Sequence, residues 1–244
     1  MILNKLKPNW RHLQGLQNKP FIHFNLQTFA IPYEIPYEFM RSFNDLPPDK
    51  YIPNNPVTRS RKYANIKINV TDNYEYVLKY NGNNIFRQEV DDNRGVKRQF
   101  ELIDPYHINQ AWILNFMTQI SALSVLNNNY YKDDTRIREI DVHLHQVRQT
   151  TYPEISSHNS PEGIHRDGCD YIVSALVIMR NNITGGESII YDKNKKTKYR
   201  AILDDQEGIY QEDTEQWHYV TPIQTIGDGL GFRDILGIDI ILKT

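Results

Sequence analysis

The chain contains very little cysteine: Cys169 is the only one among its 244 residues. This count excludes an internal disulfide framework and a cysteine-rich zinc site. No run approaches the roughly 20 apolar residues needed to span a bilayer, and Met1–Trp10 holds no apolar stretch of signal-peptide length. We therefore expect a soluble protein in the reducing cytoplasm.

The chain also lacks an excess of either charge, since its formal net charge is −2. This balance gives no electrostatic reason to expect a nucleic acid or an anionic membrane as partner. A glycine-rich phosphate loop and a βαβ alternation are both missing, which disfavours a nucleotide-binding doubly wound fold. The G-x-S-x-G elbow of serine hydrolases is absent as well. A small molecule is the expected partner.

No linker rich in Gly or Ser divides the chain, so residues 1–244 are predicted to form a single domain. Residues 1–135 mix helices with short strands and would form a scaffold that also shapes the substrate site. Ile108–Leu126 is the best predicted helix, and Phe39–Phe43 indicates a short helix that begins near Pro36. The long helix carries one buried stripe at three- and four-residue spacing: Ile113, Phe116, Met117, Ile120 and Leu123.

Residues 136–244 change to a strand pattern. The segments are short, rich in β-branched or aromatic residues, and separated by Gly, Asn, Asp and Pro. They are Ile137–Val147, Tyr171–Arg180, Glu187–Asp192, Tyr199–Leu203, Gly208–Gln211, Trp217–Ile223 and Asp234–Leu242. Many short strands at close spacing predict a sandwich or barrel. The fold class is therefore mainly β with flanking helices, an α+β arrangement.

The most specific chemical feature is Pro161–Gly168 (PEGIHRDG), which precedes a hydrophobic strand. His165 and Asp167 are two positions apart, so in an extended chain both side chains point to the same side. A third ligand is available at His218, 51 positions beyond Asp167. Two imidazoles and one carboxylate leave open coordination positions on Fe(II), as oxygenases require. Taken alone, however, a His near an Asp is often a hydrogen-bonded pair.

Two later features support the oxygenase reading. Thr184–Ser188 (TGGES) contains paired glycines that predict a tight hairpin between two strands. Arg233 starts the last strand, 15 residues after His218. Its planar guanidinium suits the far carboxylate of a dicarboxylate cosubstrate bound to the metal, although a surface ion pair is the alternative.

The sequence resembles the 2-oxoglutarate/Fe(II)-dependent dioxygenases of the bacterial isoleucine 4-hydroxylase type, which hydroxylate free L-amino acids. The likeness is clearest from about residue 136 onward and is carried by His143–Arg148 (HLHQVR), Pro161–Gly168, Gly185–Tyr191 (GGESIIY), Trp217–Ile223 (WHYVTPI) and Arg233–Leu236 (RDIL). It implies a double-stranded β-helix (jelly-roll) core, Fe(II) at His165, Asp167 and His218, O2 as oxidant, and 2-oxoglutarate near Arg233, with Thr221 as a further contact. The presence of Asp167 favours hydroxylation, because related halogenases lack this carboxylate.

A free amino-acid substrate needs a cation for its carboxylate and an acid or carbonyl for its ammonium group. Arg148 is a candidate for the first role, while Glu162 and Asp170 flank the metal motif and are candidates for the second. Each could equally form a surface ion pair. A hydrophobic pocket distinguishes one methylene by only about 1–3 kcal/mol, so activity on isoleucine, leucine and methionine is expected.

Three alternatives compete with this reading. His143 and His145 also share a strand face, but a cupin-type site lacks its carboxylate because Gln149 and Thr150 follow; we expect these histidines to be structural. A zinc-dependent hydrolase or isomerase could use the same triad, although Arg233 would then have no purpose. A non-catalytic jelly-roll protein related to stress or biofilm formation is the third alternative.

Overall fold

Alternating apolar residues form the strands, and a longer apolar segment forms the main helix. The computed structural model describes residues 2–52, 56–87, 97–131 and 136–244. The helices are α1 (Trp10–Gln14), α2 (Tyr37–Arg41), α3 (Pro105–Ile108) and α4 (Ala111–Tyr131). The strands are β1 (Ile2–Leu6), β2 (Phe21–Asn25), β3 (Arg59–Val70), β4 (Tyr76–Tyr80), β5 (Ile85–Arg87), β6 (Lys97–Gln99), β7 (Glu139–Thr151), β8 (Tyr171–Asn181), β9 (Ile183–Gly185), β10 (Glu187–Tyr191), β11 (Thr197–Ile202), β12 (Glu207–Glu212), β13 (Trp217–Val220), β14 (Ile223–Thr225) and β15 (Gly231–Lys243).

Eight strands form one large sheet in the order β1-β4-β3-β7-β15-β8-β12-β2. Strands β7 and β15 lie at its centre and pair antiparallel along their whole length. Successive residues of β15 point to opposite faces: Leu236, Ile238 and Ile240 join the core under the helices, whereas Ile235 joins a second core inside the barrel. The side chains that share a face with Ile235 therefore point toward the barrel interior.

The long helix α4 covers one face of the large sheet. Its predicted stripe is confirmed, since all five stripe residues are buried, and most of its other side chains are buried too. Polar residues are accommodated because Thr118 and Ser124 donate to backbone carbonyls one turn earlier, at 2.8 and 2.9 Å. The short helix α2 follows Pro36, also as predicted. Among the described residues, no helix combines the length and apolar character needed to cross a bilayer.

A smaller sheet, in the order β11-β10-β13, together with the β14-β9 pair, closes the other side of the barrel. The hairpin predicted at Thr184–Ser188 is wrong, because β8 lies in the large sheet and β10 in the small one. The two glycines instead carry the chain from one sheet to the other. Gly185 has φ 76°, and a Cβ there would lie 2.2 Å from the carbonyl oxygen of Pro222, so only glycine fits.

The N-terminal part of the chain contributes strands to the same large sheet. β3 spans 12 residues and pairs with β7, so it is longer than the short strands that the sequence indicated. β2 pairs with β12 at the opposite edge. The mainly β fold with flanking helices is confirmed: two facing sheets make the jelly-roll, and helices cover its outer face.

Candidate metal and cosubstrate site

Three potential metal ligands converge at the open end of the barrel. Nε2 of His218 lies 3.5 Å from Asp167 Oδ2, and Nε2 of His165 lies 3.7 Å from Asp167 Oδ1. One ligand atom from each of the three residues lies within 4.8 Å of the other two, and no other such group occurs in the described parts of the chain. Two imidazoles and one carboxylate at this spacing form the donor set that suits a non-haem Fe(II) centre.

Backbone pairing brings the two histidines together. His165 and His218 form an antiparallel bridge, with N···O distances of 3.0 Å and 2.9 Å in the two directions. Their rings lie 4.2 Å apart between centroids. Asp167 follows in a loop rather than in a regular strand, and Gly168 at φ 85° turns the chain there, as its position in the sequence suggested.

The environment of the ligands disfavours charge when no metal is present. Burial, assisted by the negative charge of Asp239, raises the pKa of Asp167 to about 7. Burial and the neighbouring His165 lower the pKa of His218 well below its usual value. Nδ1 of His165 lies 2.9 Å from the carbonyl oxygen of Gly163, and this contact places the proton on Nδ1 and leaves the Nε2 lone pair for a metal. A divalent cation would stabilise the charged form of Asp167.

Asp213 is a buried carboxylate beside the ligands that the sequence analysis did not identify. Its Oδ2 accepts hydrogen bonds from the backbone N–H groups of Gly168 and Cys169, at 2.7 and 3.2 Å. Its Oδ1 lies 4.0 Å from Nδ1 of His218. Burial and the charge of Asp167 raise the pKa of Asp213 to about 7. No local motif marks this residue; only its place five positions before His218 could have drawn attention to it.

Arg233 is fully buried, yet its guanidinium has no hydrogen-bond partner within the described structure. Its cross-strand neighbour Gln149 is also fully buried, and neither side-chain polar atom of that amide is paired there. Burial and the nearby Arg180 lower the pKa of Arg233 to about 9, so the group is still cationic at neutral pH. A buried cation without a partner is costly, and an anion such as a carboxylate would offset that cost.

The glycine segment leaves room beside this cation. A Cβ at Gly186 would lie 3.4 Å from Nη1 of Arg233. Thr221 lies on the facing segment, where its Oγ1 accepts a hydrogen bond of 2.9 Å from the N–H of Glu187. Thr221 and Arg233 therefore both lie next to the Gly185–Gly186 crossover.

A cavity of about 330 Å³ opens onto the three ligands. Its wall carries both charges and apolar surface: arginines Arg59, Arg61 and Arg98; acids Glu162 and Asp239; and apolar residues that include Ile52, Phe86, Val147 and Ile235. Volume and lining are those of a site for one small, charged molecule. Arg61, Arg98 and Asp239 were not identified from the sequence, because no motif marks them and they come together only in the folded chain.

Only one of the three residues predicted to bind substrate lines the cavity. Glu162 lines the cavity, with Oε1 at 3.3 Å from Nε2 of His165. Arg148 does not line the cavity, because even-numbered positions at this end of β7 face away from the barrel interior. Its guanidinium instead makes two hydrogen bonds of 2.6 Å to Asp234. Asp170 is outside the cavity as well, since its Oδ2 accepts the backbone N–H of Leu242 at 2.8 Å.

His143 and His145 are both engaged in hydrogen bonds within the fold, as expected, and His145 also lines the cavity. Nε2 of His145 lies 3.1 Å from Oδ2 of Asp239, and the Arg61 guanidinium donates to its Nδ1. The proton of His145 is therefore on Nε2, where it donates to Asp239. His143 pairs with the hydroxyl of Tyr63 at 2.5 Å. Burial lowers the pKa of both imidazoles, so they are neutral hydrogen-bonding groups.

The jelly-roll, the His-Asp-His cluster and the buried arginine together define a class, the Fe(II)- and 2-oxoglutarate-dependent oxygenases. The chain belongs to the 2OG-Fe dioxygenase family, which its residues 40–239 match. It is 26% identical over 180 residues to L-isoleucine-4-hydroxylase of Bacillus thuringiensis, covering 73% of this chain and 72% of that protein.

Solved structures agree on the fold. The crystal structure of IDO from Bacillus thuringiensis matches with a TM-score of 0.71 at 21% identity, over 96% of this chain and 95% of that one. A bsmA homolog from Methylobium petroleophilum PM1 matches with a TM-score of 0.77 at 18% identity, over 97% and 94%. The protein is an oxidoreductase that uses Fe(II), 2-oxoglutarate and O2. Its His-Asp-His donor set fits the metal, and the buried Arg233, unpaired among the described residues, fits an anionic cosubstrate.

Proposed function

We propose that the protein hydroxylates a free aliphatic L-amino acid and couples this reaction to the decarboxylation of 2-oxoglutarate. In this proposal His165, Asp167 and His218 hold the Fe(II), while Arg233 and Thr221 hold the far carboxylate of 2-oxoglutarate. Together, the iron, 2-oxoglutarate and O2 supply the oxidising power: one oxygen atom enters the substrate, the other enters succinate, and CO2 leaves.

The observation that carries the proposal is the fully buried guanidinium of Arg233, which has no partner among the residues that the structure describes. A hydrolase or isomerase with the same triad would gain nothing from this cation. A dicarboxylate that binds the metal at one end would place its second carboxylate against a cation that can make two parallel hydrogen bonds to it. The same contact would offset the cost of burying the charge.

The amino-acid substrate is supported by the wall of the cavity. A zwitterion needs a cation and an anion, and the cavity offers Arg61 and Arg98 for the carboxylate, with Glu162 and Asp239 for the ammonium group. Phe86 and neighbouring aliphatic residues provide apolar surface for a side chain. The relative that hydroxylates isoleucine points to the same class of substrate. Arg148 and Asp170 have no part in this proposal because their polar groups are engaged outside the cavity.

The protein side of the reaction is orientation and exclusion of water. Val147, Ile190 and Ile235 are buried in the barrel interior and would limit the access of water from that side. The hydrogen bond from His165 Nδ1 to Gly163 fixes the ring so that Nε2 faces the centre. Charged groups of the cavity would fix the substrate's polar end, and its aliphatic part would contact Phe86 and the neighbouring aliphatic residues.

The test is an aerobic incubation with Fe(II), ascorbate, 2-oxoglutarate and a mixture of the protein amino acids, followed by mass spectrometry. We expect succinate and an aliphatic amino acid that has gained one oxygen atom. His165→Ala and Asp167→Ala should abolish both products, while circular dichroism shows an intact fold. Absence of succinate from the wild-type reaction, with iron bound, would favour the hydrolase or isomerase alternative. A protein that binds neither iron nor 2-oxoglutarate would favour the non-catalytic alternative.

A further inference from the structure

Asp213 lies between the two segments that carry the metal ligands. Its side chain is 1% exposed, and it accepts hydrogen bonds from the two backbone N–H groups that directly follow Asp167. Its own N–H donates to the carbonyl oxygen of Asp170 at 3.1 Å. One buried residue therefore joins the loop of Asp167 to the segment that enters β13, on which His218 lies.

The second oxygen of Asp213 faces the distal histidine. Oδ1 of Asp213 and Nδ1 of His218 lie 4.0 Å apart, and both atoms are buried without a hydrogen-bond partner in the described structure. Buried polar atoms normally have partners. A movement of about 1 Å would bring this pair to ordinary hydrogen-bonding distance, and a hydrogen bond between them would satisfy both atoms at once.

We propose that Asp213 is a positioning residue for the metal site. Oδ2 holds the turn that presents Asp167, and Oδ1 accepts the Nδ1–H of His218, so that the Nε2 lone pair of His218 faces the ion. The carbonyl oxygen of Gly163 performs the equivalent task for His165. Carboxylate–histidine–metal arrangements of this kind fix the tautomer and ring orientation and make the ligand more basic. This inference rests on the proposed metal-binding role of His218 and Asp167.

Asp213→Asn separates the two tasks of the carboxylate. The amide oxygen can still accept from the backbone N–H groups after Asp167, so the turn is retained. The amide NH2 would then face Nδ1 of His218 and donate to it, which favours the tautomer that carries its proton on Nε2. That proton occupies the position where a metal binds. We expect the affinity for Mn(II), measured by calorimetry on the metal-free protein, to fall by about 10- to 100-fold.

Asp170→Asn is the matched control. Asp170 belongs to the same loop and also accepts a backbone N–H, but its partner is Leu242 and not a ligand segment. Its Mn(II) affinity should stay within about twofold of wild type, since no tautomer depends on it. If Asp213 had a purely structural role, Asp213→Asn would lower the unfolding midpoint but leave the proton of His218 on the same nitrogen as in the wild type.

¹⁵N NMR of the metal-free protein reads the tautomer directly. We expect the proton of His218 on Nδ1 in the wild type and on Nε2 in Asp213→Asn. A wild-type His218 with its proton on Nε2 would overturn the inference even if the variant did not fold, and so would a Mn(II) affinity of Asp213→Asn equal to that of Asp170→Asn. His218→Ala separates a failure of the metal-site assignment from a failure of the role of Asp213. If His218→Ala binds Mn(II) as wild type does, the metal site itself is misassigned. If His218→Ala loses binding while Asp213→Asn does not, only the role of Asp213 is rejected.

Discussion

Replacing Arg233 by methionine should make the metal-free protein more stable and at the same time remove its affinity for 2-oxoglutarate. Methionine keeps an unbranched apolar stem of similar length but deletes a charge that is fully buried and unpaired within the described structure. The usual result of deleting a polar side chain in a core is a loss of stability. An increase in the free energy of unfolding is expected here, because burying this cation is unfavourable and no partner among the described residues offsets that cost.

The size of the effect follows from the pKa of Arg233. Burial lowers it from 12.5 to about 9, and at about 1.4 kcal/mol for each tenfold change in the equilibrium this corresponds to roughly 5 kcal/mol of disfavoured charge. Relaxation and repacking reduce the net gain, and replacements of buried charges by apolar residues give at most about 1–4 kcal/mol. Loss of the charged contact should weaken 2-oxoglutarate binding by about 2–5 kcal/mol, on the order of 30- to 3000-fold.

Two measurements on the metal-free and Fe(II)-loaded protein check this prediction. Urea unfolding of the apoprotein gives the change in free energy, and anaerobic titration of the Fe(II) protein, followed by the visible charge-transfer band of bound 2-oxoglutarate, gives the affinity. Arg59→Met is the control, since Arg59 is also buried but pairs with Asp49 through Nε at 2.9 Å and Nη2 at 2.8 Å. That variant should lose about 3–5 kcal/mol of stability. An Arg233→Met protein that is less stable and still binds 2-oxoglutarate would show that Arg233 is neither an unfavourable buried charge nor a cosubstrate contact.

Three further predictions concern the crossover, the acids and the cavity. Gly185→Ala should cost more than about 2 kcal/mol of stability in urea unfolding, because its Cβ would meet a carbonyl oxygen at 2.2 Å, whereas Gly82→Ala, at φ 69° with nothing within 4 Å, should cost about 1 kcal/mol. The pKa values of Asp167 and Asp213 are raised from 3.8 to about 7 in the folded apoprotein, so these two groups take up protons on folding between these pH values, whereas buried histidines with lowered pKa values act in the opposite direction. Relative to Asp167→Asn, in which the histidine contribution is retained, the wild-type thermal unfolding midpoint should therefore fall as pH rises from about 4.5 to 7.5, and a difference that grows in the other direction would contradict the assignment. Glu162→Gln should raise the KM for the amino acid by about tenfold and leave the KM for 2-oxoglutarate unchanged; equal changes in both would argue against a contact with the substrate.

The candidate metal ligands could be proposed from the sequence because two of them belong to one local motif. His165 and Asp167 are separated by one residue before a strand, and Gly168 follows where the chain must turn. The structure brings these ligands to His218 through a single antiparallel bridge. By contrast, the glycines in Thr184–Ser188 correctly indicated a turn, but not which strands the turn connects. Glycine favours positive φ both in a hairpin and in a crossover between sheets, so its presence does not distinguish the two.

The roles of the charged residues could not be predicted from local sequence patterns. Arg148 and Arg233 are both arginines on central strands, and the sequence alone offers each the same two roles, ligand or ion pair. In the fold, Arg148 meets Asp234 across 86 positions of the chain, whereas Arg233 finds no partner among the described residues. Asp213 and Asp239 belong to no sequence motif, because the residues that they contact lie in distant segments of the chain.

Residue types and their spacing indicate which atoms can bind a metal, and the alternation of apolar residues indicates a chain that folds mainly as strands with one long buried helix. Which charges are neutralised inside the protein, and which are left for a ligand, is set by the fold. Pairing between charges depends on strand register and on the face toward which each side chain points. A shift of one position exchanges the faces, and residues far apart in the chain set that register.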